Sequence, residues 1–305
     1  MPTIMVPFTE KGQPDFHDIF VYLRPETNGI LVESILLKVI QENPLYKSKI
    51  KLVYLANLPG DFIVRNRIVQ KHYRLKLYFT GKGKSSFTPY MKETFEHHFR
   101  TDFESARIIG SFAALELFKM DYQELFNIWV DRRDMLVVNG QSIKKYNDAF
   151  IINYDLPAIL HKNNTGTDIA VMMFRSELDY VDFYGMITRM EMALQREKIL
   201  GDKVPVSRAF HYSKGPFEQL LDASGYLYDQ EGKHIPLTEN SFYRYLLRKN
   251  LTDQQILNCI ENPVMRFRIA DNFELEDDIK GFTAGDTYRE AYNKLAQASS
   301  QYLCR

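Results

Sequence analysis

Apolar positions cluster early in the chain as three short runs, Ile19–Leu23, Ile50–Leu55 and Leu75–Phe79. Between them lie two segments that read as helices. Strands about 25 to 30 residues apart with helices between them predict βαβ crossovers, and so an α/β fold with a mixed, mainly parallel sheet opened by a βαβαβ unit. Ile4–Val6 adds an edge strand. In the first helix, which runs from the turn at Arg24–Gly29 to about Gln41, Ser34, Lys38 and Gln41 make one polar stripe and nearly every other position is apolar. That pattern predicts a helix packed on most sides. Asn43-Pro44 ends it, since the residue before proline avoids the α region. Asp61 suits the N-cap of a helix reaching toward Tyr73, and Thr88-Pro89 opens another.

From Pro89 to Asp134 the spacing predicts helices at Pro89–Phe99, Ile108–Phe118 and Gln123–Val130 and no strand, with Trp129 in the core. Strands follow at Ala149–Tyr154 and Ile169–Phe174. Next comes an amphipathic helix whose core face is Phe183, Met186, Ile187, Met190 and Leu194. Val204–Phe210 and Val264–Ile269 are further strands, residues 226–237 a hairpin, and Thr252–Gln255 a capping box. A last helix from Asp286 carries Tyr288, Tyr292, Leu295, Ser299 and Tyr302 on one stripe, which docks on the body or joins copies into an oligomer. The organisation expected is a βαβαβ core over 1–85, a helical insertion over 86–135 and a mixed α/β remainder over 136–305.

Composition narrows the class. Lys plus Arg and Asp plus Glu balance at 39 each, which disfavours a dedicated nucleic-acid or membrane-surface protein. Two cysteines, Cys259 and Cys304, are too few for a disulfide framework and fit a reducing cytoplasm. The N-terminus lacks the charged and apolar regions of a signal peptide, and the most apolar run, Ile30–Ile40, is too short and polar to span a bilayer.

Charge is distributed less evenly than its total. Phe62–Lys92 contains no acid but holds Arg65, Arg67, Lys71, Arg74, Lys76, Lys82, Lys84 and Lys92, a local field that attracts anions unless Glu177–Asp182 and Asp271–Asp278 neutralise it. Within it Gly81-Lys82-Gly83-Lys84-Ser85-Ser86 offers backbone and side-chain donors for phosphate. It is not a Walker A loop, because the position five before Gly83 is Tyr78. Parallel opening strands would gather Arg24, Glu26, Asn28, Gly29, Asn57, Asp61, Lys82, Lys84 and Ser85 at one rim. The ligand-binding set is therefore Arg24, Asn28, Gly29, Asp61, Gly81, Lys82, Gly83, Lys84 and Ser85. No dinucleotide fingerprint follows Gly29, and the cofactor stays unassigned.

Glu177, Asp179 and Asp182 suit the first turn of a helix, where they favour its dipole, as well as Mg²⁺. Glu274–Asp278 reads as a solvated loop, Cys259 as a small core residue. The seven histidines make no metal pattern, and no serine sits in a nucleophile elbow. The function expected is a cytoplasmic binding or interaction protein that engages an anionic ligand or an acidic partner surface through residues 62–92, without chemistry. The alternative is a transferase or phosphohydrolase acting on a phosphorylated or nucleotide substrate at the sheet rim. Nucleic-acid binding ranks third.

Overall fold

The computed structural model describes residues 1–178, 180–199, 209–270 and 273–301. Along the chain the strands are β1 (Thr3–Val6), β2 (His17–Leu23), β3 (Ile50–Leu58), β4 (Ile108–Gly110), β5 (Met135–Val138) and β6 (Gln141–Tyr146). They continue as β7 (Ala149–Ile152), β8 (Ile169–Ser176), β9 (Phe210–Tyr212), β10 (Val264–Ala270), β11 (Phe273–Asp278) and β12 (Ala298–Gln301). The chain forms two compact units. The first takes Met1–Ile68, Asn163–Glu261 and Thr283–Ala296, the second Val69–Lys162, Asn262–Phe282 and the chain from Gln297. Among the described residues no helix is long and apolar enough to cross a membrane.

The sheet of the first unit runs β1-β3-β8-β2-β9 and every pairing in it is antiparallel. The expected mainly parallel sheet is therefore wrong, for two physical reasons. β2 and β3 do point the same way, but β8 enters between them from more than a hundred residues downstream and runs against both. Strands buried on both faces read as unbroken apolar runs whatever their direction, and the residues of β8 are buried throughout. β1 apart, the elements β2–helix–β3 and β8–helix–β9, in spatial order β3-β8-β2-β9, make the split βαβ arrangement of a ferredoxin-like sheet.

The third predicted strand is a second error: Leu75–Phe79 lies inside the helix Arg74–Lys82. Leu75, Leu77 and Phe79 alternate as in a strand, but Leu75, Tyr78 and Phe79 also share one helical face. That face packs into the core of the second unit. Short apolar runs satisfy both periods, and here the tertiary packing decided.

Helices Ile30–Glu42 and Tyr180–Arg196 cover one face of the first sheet. Their inner residues Val32, Leu36 and Ile40, and Phe183, Met186, Ile187, Met190 and Leu194, meet Ile19, Val21, Met172 and Phe174. Helices Pro216–Tyr226 and Ser241–Arg248 pack on the strands from the other side, where Tyr22 stacks on Tyr226. At one end of the β2–β8 pairing Arg175 of β8 and Asp18 of β2 form a buried ion pair, Nε to Oδ1 2.7 Å.

The second unit has a four-stranded sheet, β4-β7-β6-β5, in which only β4 and β7 are parallel, and an antiparallel trio, β11-β10-β12. Its core is aromatic, with Phe79, Phe87, Phe95, Phe99, Phe103 and Phe150 in contact. Ile108–Gly110, expected to be helical, is strand β4; the helix starts at Ser111. The helix expected to reach Val130 stops at Asn127, leaving Trp129 81 % exposed rather than in the core. Glu274–Asp278 is no solvated loop but most of β11, with Glu276 and Asp278 buried. Arg266 and Arg268 of β10 stand opposite Glu276 and Glu274 in the ladder, which is what lets an acidic strand form there. Most of the predicted strand Val204–Phe210 lies outside the described residues. The C-terminal helix spans Tyr288–Ala296; Ser299 belongs to β12 and Tyr302 lies outside the described residues.

Candidate functional site

The nine residues proposed from the sequence divide between the units: Arg24, Asn28, Gly29 and Asp61 in the first, Gly81–Ser85 in the second. Arg24 closes β2, its N–H donating to Ala209 O at 3.0 Å. Asn28 accepts from the Ala170 N–H at 2.8 Å, and Asn57 and the Gly60 N–H both donate to Asp168, at 2.8 and 3.0 Å. These groups tie loop ends together. Gly29 precedes the first turn of the Ile30–Glu42 helix. Asp61 is not an N-cap: Pro59 holds that place, Asp61 lies in the first turn, and the helix stops at Arg65 instead of reaching Tyr73.

No strand precedes the glycine-rich segment. Gly81 and Lys82 finish the Arg74–Lys82 helix, and Gly83–Ser86 form a turn of 3₁₀ helix with Gly83 at φ 58°. Ser85 Oγ donates to Lys82 O at 2.8 Å and Lys84 Nζ to Glu104 O at 2.6 Å. The basic stretch is likewise divided, with Arg65 and Arg67 in the first unit and the other six cations in the second. Carboxylates lie near at least four of them: Asp61 at 4.0 Å from Arg65, Asp155 at 2.7 Å from Lys76, and Glu104 at 3.6 and 3.3 Å from Lys84 and Lys92. These partners are local, not the two acidic segments singled out in the sequence; Asp179 itself lies outside the described residues.

Sequence reasoning missed a polar cluster on the first unit. Glu218 and Asp222, at i and i+4 on the Pro216–Tyr226 helix, lie 3.5 and 3.9 Å from His211 Nε2. Ser213 Oγ donates to Asp222 Oδ2 at 2.6 Å and accepts from the Phe20 N–H at 3.1 Å. Burial, with the charge of Glu218 adding, pushes the Asp222 carboxyl well above its usual range, and the Ser213 bond opposes this. Burial also pushes Tyr212 up to about 12. The helical spacing of Glu218 and Asp222 was the available signal. Ser213 and Asp222 are fully buried, and the pair ties the segment after β9 to the Pro216–Tyr226 helix and, through the Phe20 N–H, to β2. In the second unit burial lowers the Lys144 ammonium, which lies 3.5 Å from the Tyr154 ring centre. Among the described residues no group of three or more His, Cys, Asp and Glu is placed to hold a metal ion.

The outer side of the two sheet-covering helices is different in kind. The Ile30–Glu42 helix is not enclosed on most sides: Ile30 and Leu31 are 80 % and 64 % exposed, and Met192 of the neighbouring helix 62 %. Two adjoining hollows of about 390 and 320 Å³ run along the seam between the helices. Leu31, Ile35, Val39, Met192 and Ala193 give them an apolar lining, and Lys38, Glu42, Arg189 and Arg196 edge it. Burial raises Glu33 and Glu191, one on each helix.

Compared with protein-family models, curated proteins and solved structures, the chain gives no match.

Proposed function

We propose that this chain is an interaction protein that seats a polypeptide segment of a partner in the groove between the Ile30–Glu42 and Tyr180–Arg196 helices. The observation that carries the reading is the exposure of Leu31 and Met192, which line two contiguous hollows of apolar character. Water-exposed apolar groups that adjoin a groove favour burial by a partner, at about 25 cal/mol per Å² of apolar surface covered. A helix apolar on nearly every side gains most when its outer face is covered as well. The inner faces of both helices are already committed to the sheet, so the outer seam is the surface left to recognition. A partner segment in helical form, with apolar side chains at i, i+3 and i+4, matches a groove between two helices.

A random peptide display library panned against the chain tests this. The wild type should enrich a peptide family that the double variant Leu31→Asp, Met192→Asp fails to hold. Both side chains point into solvent, so the fold tolerates the change within about 0.5 kcal/mol per site. Peptides held equally by the double variant, or no enrichment at all, would overturn the reading.

A further inference from the structure

Resting on that reading, we infer that Arg189 selects the partner: the seated segment carries a carboxylate opposite this guanidinium. Three cations, Lys38, Arg189 and Arg196, edge the groove, and their surroundings differ. Lys38 Nζ lies 3.5 Å from Glu42, and Arg196 Nε 3.5 Å from Glu197. Among the described residues Arg189 has no carboxylate within the 4.0 Å of an ion pair. Its guanidinium instead stands 6.0 Å from the centre of the Tyr46 ring. Tyr46 is buried, so the ring is a fixed surface for the guanidinium to rest on.

Two of the three positive charges are thus matched from within the chain and the third is left to a ligand. Arg189 lines the same hollow as Val39 and Met192, so a segment whose apolar side chains enter there brings its neighbouring positions to the guanidinium. An aspartate or glutamate offers two oxygens to the planar fork, a geometry a lysine ammonium does not reproduce. Glu42 lines the hollow too, but Lys38 is its partner. A basic segment meets an unmatched arginine there and is rejected, which gives the groove specificity as well as adhesion.

The same peptide library, panned in parallel on the wild type, Arg189→Glu and Arg189→Lys, provides the test. Wild-type peptides that depend on Leu31 and Met192 should share an acidic residue at a fixed distance from their apolar positions. On Arg189→Glu that position should change to Lys or Arg, and the wild-type peptide should bind about tenfold more weakly or worse. Arg189→Lys should retain the acidic preference with reduced affinity. Groove peptides without a charge preference, or unchanged affinity on Arg189→Glu, would overturn the role of Arg189 while leaving the groove standing. Peptides indifferent to Leu31 and Met192 would remove the groove itself. Self-association of the wild type that Met192→Asp abolishes would make a second copy the occupant and overturn the acidic-partner inference.

Discussion

Replacing Arg175 by methionine tests the buried ion pair of the first unit. Arg175 and Asp18 face each other in the β2–β8 ladder, and both are buried. Asp18 takes Nε at 2.7 Å and Nη2 at 3.3 Å on its two oxygens, together with the Ser241 N–H at 2.8 Å. Nη1 of Arg175 donates to the carbonyls of Glu10 and Lys11 at 2.8 and 2.9 Å. Methionine fills much of the same volume but strands a carboxylate out of water and leaves two carbonyls without that donor. Breaking one side of a buried pair costs about 3–5 kcal/mol, a large part of the 5–15 kcal/mol that holds a typical domain.

Hydrogen exchange of the β2 and β8 amides is the appropriate assay, because the single tryptophan, Trp129, belongs to the other unit. At about 1.4 kcal/mol per tenfold, exchange should accelerate by roughly two to four powers of ten. Arg175→Lys keeps the charge but loses the fork, and should fall between. Asp18→Asn in the Arg175→Met background should restore part of the protection, since it removes the stranded charge. An acceleration under about fivefold for Arg175→Met, near 1 kcal/mol, or strictly additive behaviour of the double variant, would refute the reasoning.

Three other outcomes are expected. Burial, assisted by the charge of Asp278, raises Asp277 from 3.8 to about 6. Folding therefore favours its protonated form, and this stabilisation is complete below about pH 4 and lost as pH rises through 6, up to a ceiling of about 3 kcal/mol. Asp277→Asn should flatten the fall in Tm across that window; a slope like that of the wild type would dismiss the assignment. A Cβ at Gly110 would meet the Thr80 carbonyl oxygen at 1.9 Å, so Gly110→Ala should destabilise the aromatic core by about 3 kcal/mol, and an unchanged denaturation midpoint would contradict the packing. Burial pushes the Cys259 thiol up to about 12; in a Cys304→Ser background it should stay inert to a thiol reagent until the chain unfolds, and rapid native labelling would refute its placement.

What could be read from the residues depended on how local their causes were. Thr88 accepting from the Met91 N–H, the Thr252–Gln255 box and the Asn43-Pro44 break are determined within four residues, and the structure has them all. The core face from Phe183 to Leu194 was readable because a period of 3.6 persists over three turns. The direction of the sheet was not, because it depends on β8 entering between β2 and β3, a pairing across more than a hundred residues that no local pattern encodes. β11 was missed because its acids look solvated until Arg266 and Arg268 are set opposite them; the alternation R-F-R against E-L-E was the available clue. In the groove, the apolar outer positions of the Ile30–Glu42 helix were visible but were assigned to packing. Arg189 drew no attention because a single arginine on a helix has no pattern.

The Tyr288 hydroxyl accepts from the Asp18 N–H at 3.0 Å and donates to Gln219 Oε1 at 3.1 Å, joining the start of the chain to nearly its end within one core. A ribosome releases the β2 segment hundreds of residues before the helix that completes its surroundings, and domains ordinarily fold as units when their last element emerges. The nascent chain must therefore hold Asp18 and its neighbours in an unfinished sheet until residue 288 leaves the exit tunnel. A stop codon placed just before that helix would yield a polypeptide with β2, β3 and β8 all present and the lock on them missing.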